Sequence, residues 1–292
     1  MKLPREAPIL ITGTSSGIGR AIAERLGSKG WNVYASARKL GSIGELKGKG
    51  CKLVALDVTD SDSIESAVAS IESSDGAIGA LVNNAGYGLH GAVETTPIDE
   101  ARKQFDTNFF GLAELTNRVL PKMREAGRGR IVNMSSMGGR FTFPGGGYYH
   151  ASKHALEAYS DALRYELRPF GIDVVIVEPG LIKTKFGDVA VNSVNHDPDP
   201  SDPYSLYNQG VMKLIDGAYN GLMGKAGASP AYVARTIERI LTTNHPGTRY
   251  VTPFATRGMM VLRRVLPDRG WDSVMRRAYP QPAPPSSGAE ED

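Results

Sequence analysis

Short apolar runs alternate with stretches of helical periodicity along most of the chain. The runs at 8–12, 32–35, 52–56, 80–83, 130–134, 173–177 and 249–252 are apolar, and several are rich in β-branched residues. Strands buried on both faces have this composition, so each run predicts a strand. Helices are predicted between them, at about 17–29, after Asp62, over 105–125 and over 148–168. In the last of these Leu156, Tyr159, Leu163 and Leu167 recur at helical spacing and form one apolar face. Such alternation requires right-handed crossovers, which gives an α/β fold with a doubly wound parallel sheet. With no internal repeat or linker, residues 1–279 are expected to form a single domain.

Two stretches fall outside the alternation. Residues 185–228 begin polar, around Asn195-His196-Asp197-Pro198, and then turn helical. There Tyr204, Tyr207, Val211, Ile215, Tyr219 and Leu222 form an apolar and aromatic stripe, with Met212 and Met223 beside it. The part at 192–203 has no helical pattern and is expected to be mobile. Residues 254–279 mix Met259, Met260, Leu262, Val265, Leu266, Trp271 and Met275 with six arginines, in short pieces broken at Pro267 and Gly270. Residues 280–292 are rich in Pro, Ser and acid and are expected to be a disordered tail.

Composition narrows the class. The 292 residues are 41% hydrophobic and 22% charged, an ordinary globular balance. A formal charge of +3 is too weak and dispersed to argue for nucleic acid. The single cysteine, Cys51, excludes an internal disulfide and fits a reducing compartment. With no apolar leader and no spanning run, a cytoplasmic location is expected. No His, Cys or acidic residues have metal-ligand spacing, so no metal is expected.

Two motifs carry the chemistry. The first predicted strand runs into Thr12-Gly13-Thr14-Ser15-Ser16-Gly17-Ile18-Gly19, with glycines spaced Gly-x-x-x-Gly-x-Gly. Glycines at a strand-to-helix turn let backbone approach a pyrophosphate, which the helix N-terminus attracts. The second motif is Tyr149-His150-Ala151-Ser152-Lys153, which puts a phenol and an ammonium on one helix face. Together with Asn83-Asn84-Ala85-Gly86 and Pro179-Gly180, these motifs resemble the short-chain dehydrogenase/reductase family over about residues 6–253. The glycine spacing matches its single-domain branch of roughly 250 residues. Within it the chain is similar to the hydroxysteroid and retinol dehydrogenase group, notably at 84–91 and 149–167.

The resemblance implies a Rossmann-like fold and an oxidoreductase that moves a hydride between a nicotinamide cofactor and a carbonyl or alcohol carbon. Tyr149 would be the acid/base. Lys153 would lower its pKa and reach the nicotinamide ribose. Ser136, rather than Ser135, would orient the substrate oxygen, and Asn108 would hold a relay water. Gly13, Ser15, Ser16, Gly17, Ile18 and Gly19 would cradle the pyrophosphate. Asp57 and Val58 would sit at the adenine, and Asn83, Ala85 and Gly86 at the ribose. Pro179, Gly180, Ile182 and Thr184 would hold the carboxamide. Where the second strand ends, an acidic residue would select NAD(H); in this chain Ala37 is followed by Arg38, which points to NADP(H) over NAD(H).

In the family the segment after Thr184 covers the substrate. An apolar stripe there predicts a bulky apolar substrate, steroid-, retinoid- or lipid-like, unless the stripe merely packs on the sheet. Of the histidines, only His90 lies where it could touch substrate. A cofactor-binding regulatory protein on the same fold would be expected to lack Tyr149 or Lys153. A peripheral membrane enzyme acting on lipid-borne substrates is weighed from the basic-apolar segment at 257–279, against a cap on the core or a dimer contact, which is favoured. Assembly as a homodimer or homotetramer is left open.

Overall fold

Alternation of side chains across each strand divides the apolar residues between two layers. In the computed structural model, which describes residues 2–194, 202–221, 227–254 and 256–283, seven parallel strands form one sheet. They are β1 (Ile9–Ile11), β2 (Val33–Ala37), β3 (Cys51–Ala55), β4 (Ala80–Asn83), β5 (Gly129–Met134), β6 (Ile172–Pro179) and β7 (Arg249–Thr252), in the order β3-β2-β1-β4-β5-β6-β7. Ile9 and Ile11 face one layer and Leu10 the other; Val175 and Val177 likewise oppose Ile172 and Val174. The first layer packs against α1 (Gly17–Gly27) and α8 (Pro230–Thr242); the second packs against α2 (Ser61–Asp75), α4 (Gly111–Glu125) and α5 (Gly147–Leu167). Rossmann-like and doubly wound, the fold is the expected one. Chain order reverses direction between β1 and β4, where such sheets open a crevice at their carboxyl ends.

All seven expected strands are present, with ends shifted by up to two residues. The helix expected over 105–125 is more complex. It starts as α3 (Ile98–Phe105), passes through a wide π turn at Asp106–Phe110, and continues as α4. At the start of α4 a Cβ on Gly111 would collide with the Val58 carbonyl, so only glycine lets the helix come this close. Helix α8 is not among the expected elements. Its signals are Ser229-Pro230 at the start and Val233, Ala234, Ile237, Ile240 and Leu241 along one buried face.

The segment after β6 forms α6 (Phe186–Asn192) and α7 (Ser205–Asn220). The stripe on α7 mostly packs inward: Tyr207 and Val211 are buried with Ala92 and Val194, and Tyr204, Met212 and Ile215 lie against them. Most of the segment expected to be mobile lies outside the described residues, as do Leu222 and Met223. At the C-terminus α9 (Thr256–Val265) and α10 (Asp268–Ala278) break at Pro267, but Gly270 lies inside α10 and does not interrupt it. Trp271 and Met275 of α10 are buried against Phe141, with Phe143 and Met260 alongside. The outer face of α9, with Met259, Val261, Leu262 and Val265, stays exposed. At the start of the expected tail, Pro280 packs on Gly210 and the Ala283 N–H donates to the Pro203 carbonyl at 3.1 Å; residues 284–292 lie outside the described residues.

If α10 is an integral part of the core, Trp271→Ala should lower stability by about 3–5 kcal/mol, the usual cost of truncating a buried aromatic. Urea unfolding of the full chain measures it. A loss under about 1 kcal/mol would mean that α10 is only loosely attached.

Candidate functional site

A cavity of about 930 Å³ opens at the carboxyl ends of β1 and β4, within the size range of cofactor and ligand sites. Its floor is the turn from β1 into α1. Gly13 and Gly17 have φ of +69° and +59°, a region that other residues rarely enter. A side chain on Gly19 would strike the Gly13 carbonyl and Asn84, so Gly19 lies under the turn rather than along the cavity. Thr12 fixes the neighbouring loop: its hydroxyl accepts from the N–H groups of Asn84 and Ala85, both at 2.9 Å. The start of α1 has no side-chain cap and no acid in its first turn. Its free N–H groups and dipole are thus turned toward the cavity, as an anion requires.

Most residues singled out in the sequence meet at this cavity. Gly13, Ser15, Ser16, Gly17, Ile18, Arg38, Asp57, Val58, Ala85, Gly86, Ser136, Tyr149, Lys153, Pro179, Gly180, Ile182 and Thr184 all line it. Arg38 stands exposed just past β2, with no ion pair among the described residues. Asp57 is not the cap of α2: its carboxylate accepts from the Thr59 N–H and hydroxyl at 3.0 and 2.8 Å, while Asp60 caps the helix.

Asn83 is placed elsewhere. As the last residue of β4 it points under the sheet, where Nδ2 donates to Thr116 Oγ1 at 3.0 Å and Asn133 Oδ1 at 2.9 Å. The next residue, Asn84, lines the cavity instead. Asn108 also sits behind the wall. In the π turn, Nδ2 donates to the Tyr87 carbonyl at 2.9 Å and to Ser152 Oγ at 3.2 Å, and Oδ1 accepts from the Tyr87 N–H at 3.0 Å. Its side chain therefore fixes the loop before it rather than facing a ligand.

Tyr149 and Lys153 project from the first turns of α5. Lys153 Nζ is buried and donates to the Met134 carbonyl at 2.9 Å. Burial lowers its pKa to about 8, with the Glu157 charge opposing. Burial raises the Tyr149 phenol to about 12, with the Ser136 hydroxyl opposing. The expected lowering of Tyr149 by Lys153 is not seen: desolvation, which disfavours the phenolate, sets the direction, and Ser136 is what opposes it. Ser136 caps the short turn Met137–Gly139, its Oγ accepting from the Gly138 N–H at 3.0 Å.

The segment after Thr184, the lid, contributes one residue of the expected stripe and two that the sequence did not single out. Phe186 and Val189 of α6 line the cavity, and so does Tyr219, among the described residues the one member of the stripe that reaches it. Phe186 lies 5.6 Å from the Tyr149 ring and 6.1 Å from Tyr219. On its other side Tyr149 meets His90 at 5.6 Å, although His90 is not among the lining residues. Burial lowers both His90 and His150 to about 4, which keeps them neutral. His150 Nδ1 donates to the Gly138 carbonyl at 3.1 Å. Among the described residues no group of three His, Cys, Asp or Glu could hold a metal, and no helix is long and apolar enough to cross a membrane.

A parallel α/β sheet with a glycine turn and a tyrosine–lysine helix at its crevice defines a nucleotide-binding oxidoreductase fold. The chain belongs to the short chain dehydrogenase family, whose model matches residues 7–193. It is 45% identical to a 3-ketodihydrosphingosine reductase of Bacteroides thetaiotaomicron, over 92% of this chain and 95% of that one. It is also 33% identical to rat retinol dehydrogenase 16, over 94% and 89%. A short-chain dehydrogenase structure from Streptomyces avermitilis superposes with a TM-score of 0.77, at 34% identity over 93% of this chain and 98% of that one. These likenesses make the chain an oxidoreductase of the short chain dehydrogenase family, similar to members of the retinol and 17-beta-hydroxysteroid dehydrogenase group.

His150 gives a pH prediction. Its folded pKa of about 4 lies below the ordinary 6.5, because burial disfavours the charged ring. The stability it contributes is complete above pH 6.5 and is lost as pH falls from there toward 4. Between about pH 7 and 4.5 the native chain should therefore lose about 2 kcal/mol more than His150→Asn, read from urea unfolding. Equal losses in the two proteins would contradict a neutral buried ring.

Proposed function

We propose that the protein is an NADP(H)-dependent reductase of bulky apolar ketones, able to run the reverse oxidation of the matching secondary alcohols. The observation that carries this reading is the convergence of Tyr149, Lys153 and Ser136 on the cavity floored by the glycine turn. The turn fits a dinucleotide: backbone at Gly13 and Gly17 is bare, and the start of α1 presents uncapped N–H groups. Gly13 to Ile18 would hold the pyrophosphate, Asp57 and Val58 the adenine end, and Ala85 and Gly86 a ribose. Pro179, Gly180, Ile182 and Thr184 would hold the nicotinamide end. Arg38, exposed and free of an acid, suits a 2′-phosphate, which a guanidinium pairs bidentately. The nicotinamide supplies the hydride when the cofactor is bound.

The chain's own residues handle the proton. A phenol held protonated is ready to give its proton to the oxygen of a ketone as that oxygen gains charge. Ser136 positions this oxygen. The Lys153 ammonium stabilises the phenolate left behind, since a nearby cation favours the charged form. Asn108 keeps the Tyr87 wall in place beneath them. On the substrate side, Phe186, Val189, Tyr219 and Tyr149 form an aromatic and apolar wall, which supports a bulky apolar ketone. The similarity to reductases and dehydrogenases named for 3-ketodihydrosphingosine and retinol supports a lipid-like one.

Oxidation of NADPH and NADH, followed with a ketone series of increasing apolar bulk, tests the reading. Tyr149→Phe should nearly abolish turnover while NADPH still binds. Arg38→Ala should weaken NADPH binding by about 10–100-fold, the worth of a charge-assisted bond, and leave NADH unchanged. Substantial activity in Tyr149→Phe would refute the role of the phenol, and rates that fall with apolar bulk would refute the apolar substrate.

A further inference from the structure

Among the described residues, the buried oxygens without a hydrogen-bond partner include Ser135 Oγ, Glu157 Oε1 and Glu178 Oε1. Glu157 lies on α5, four residues beyond Lys153, so the two share a helix face. Glu178 lies on β6, immediately before Pro179 and Gly180 of the cavity wall. The two carboxylates are almost fully buried, with side-chain exposures of 7% and 3%. They share one close cation: Arg249 Nε lies 3.1 Å from Glu157 Oε2 and 3.4 Å from Glu178 Oε1. The Nη2 of that arginine is engaged with Asp161 at 2.7 Å. Arg140 is half exposed and stands off at 3.8 and 3.7 Å. Gly139 lets the elements close: a Cβ there would lie 2.6 Å from Ser135 Oγ, 3.0 Å from the Lys153 carbonyl and 3.1 Å from Glu157 Cγ. Two buried carboxylates beside one close arginine are not both readily ionised, and one favours keeping a proton.

We propose that Glu157 is a positioning residue for the proton chemistry of Tyr149: its buried carboxylate keeps the Lys153 ammonium charged, while Glu178 carries the proton that lets the two carboxyl groups lie together. The proposal rests on the proposed function, in which Tyr149 moves the proton and Lys153 supports it. Glu157 is placed for the task by its position one helical turn from Lys153, and its charge works against the burial that lowers the ammonium to about 8. Glu178 is raised to about 7, first by burial and then by the Glu157 charge, with Arg140 and Arg249 opposing. As pH rises through 7 the pair gains a second negative charge and strengthens its hold on the ammonium. The other ionisable groups along the cavity, Arg38, Asp57, Tyr87, Lys103, Asp106, Lys185 and Tyr219, come from other elements; Tyr149 is the remaining one on α5.

The test is the titration of Lys153 itself in the full-length protein. Its side-chain resonance is followed by NMR in lysine-labelled protein and assigned with Lys153→Arg. The midpoint, near pH 8 in the native chain, should fall by about one unit or more in Glu157→Gln. Glu157→Asp, which keeps the charge, should restore most of the shift. The alkaline limb of kcat/KM should move with the midpoint. An unmoved midpoint in Glu157→Gln overturns the proposal, even if activity drops evenly across pH, because an even drop is what a packing defect would give. Should that variant not fold, Glu178→Gln reads the same coupling: loss of the second charge must lower the midpoint, and no change refutes the proposal. Failure of the native protein to reduce any ketone would instead count against the proposed function, leaving the lysine titration to be judged separately.

Discussion

Lys153 carries an ammonium into a place with almost no water, and much of the site is arranged around that burial. An unpaired buried charge costs several kcal/mol even after relaxation. The amine donates to the Met134 carbonyl at the end of β5. Its helix is therefore seated directly on the sheet: α5 packs along β6, and the turn at Met137–Gly139 closes over it through the bare Gly139. Tyr149, one turn earlier, inherits the same dry surroundings, which is why its phenol stays protonated.

The sheet supplies the fixed frame for this arrangement. Parallel strands end together at one edge, so the loops after β1, β4, β5 and β6 meet there without any contact being required between them in sequence. Below the edge, Asn83, Asn133, Ser160 and Thr116 form a buried hydrogen-bonded layer between β4, β5, α4 and α5. Asn108 adds a second layer by gripping both backbone groups of Tyr87. These bonds tie β4 and β5 to α4 and α5 and the loop at Tyr87 to the π turn, although Asn83 Oδ1 in the first layer is left without a partner among the described residues.

The substrate side is assembled from elements distant in sequence. Phe186 precedes α7 by about one helix, yet its ring links Tyr149 to Tyr219. The chain end returns to the lid, where Pro280 and Ala283 meet Gly210 and Pro203. α10 is anchored through Trp271 on Phe141, so the lid rests partly on the last helices rather than on the sheet alone.

The strands, their parallel order and the residues of the glycine and tyrosine–lysine motifs were legible in the sequence, because each depends on local pattern: apolar runs, turn glycines and spacing on one helix. The site residues along those motifs follow the same logic, and most of them face one cavity. What local pattern could not fix was direction. Asn83 and Asn84 are adjacent and chemically identical, and only the pleat of β4 decides that the first points under the sheet and the second into the cavity. The α7 stripe has a helical period whichever partner it meets, and packing against Ala92 and Val194 buries much of it there, so that among its described residues Tyr219 is the one at the cavity. The ionisation of Tyr149 escapes the sequence for the same reason: the loss of water around the phenol, which raises its pKa, is a property of the folded surroundings.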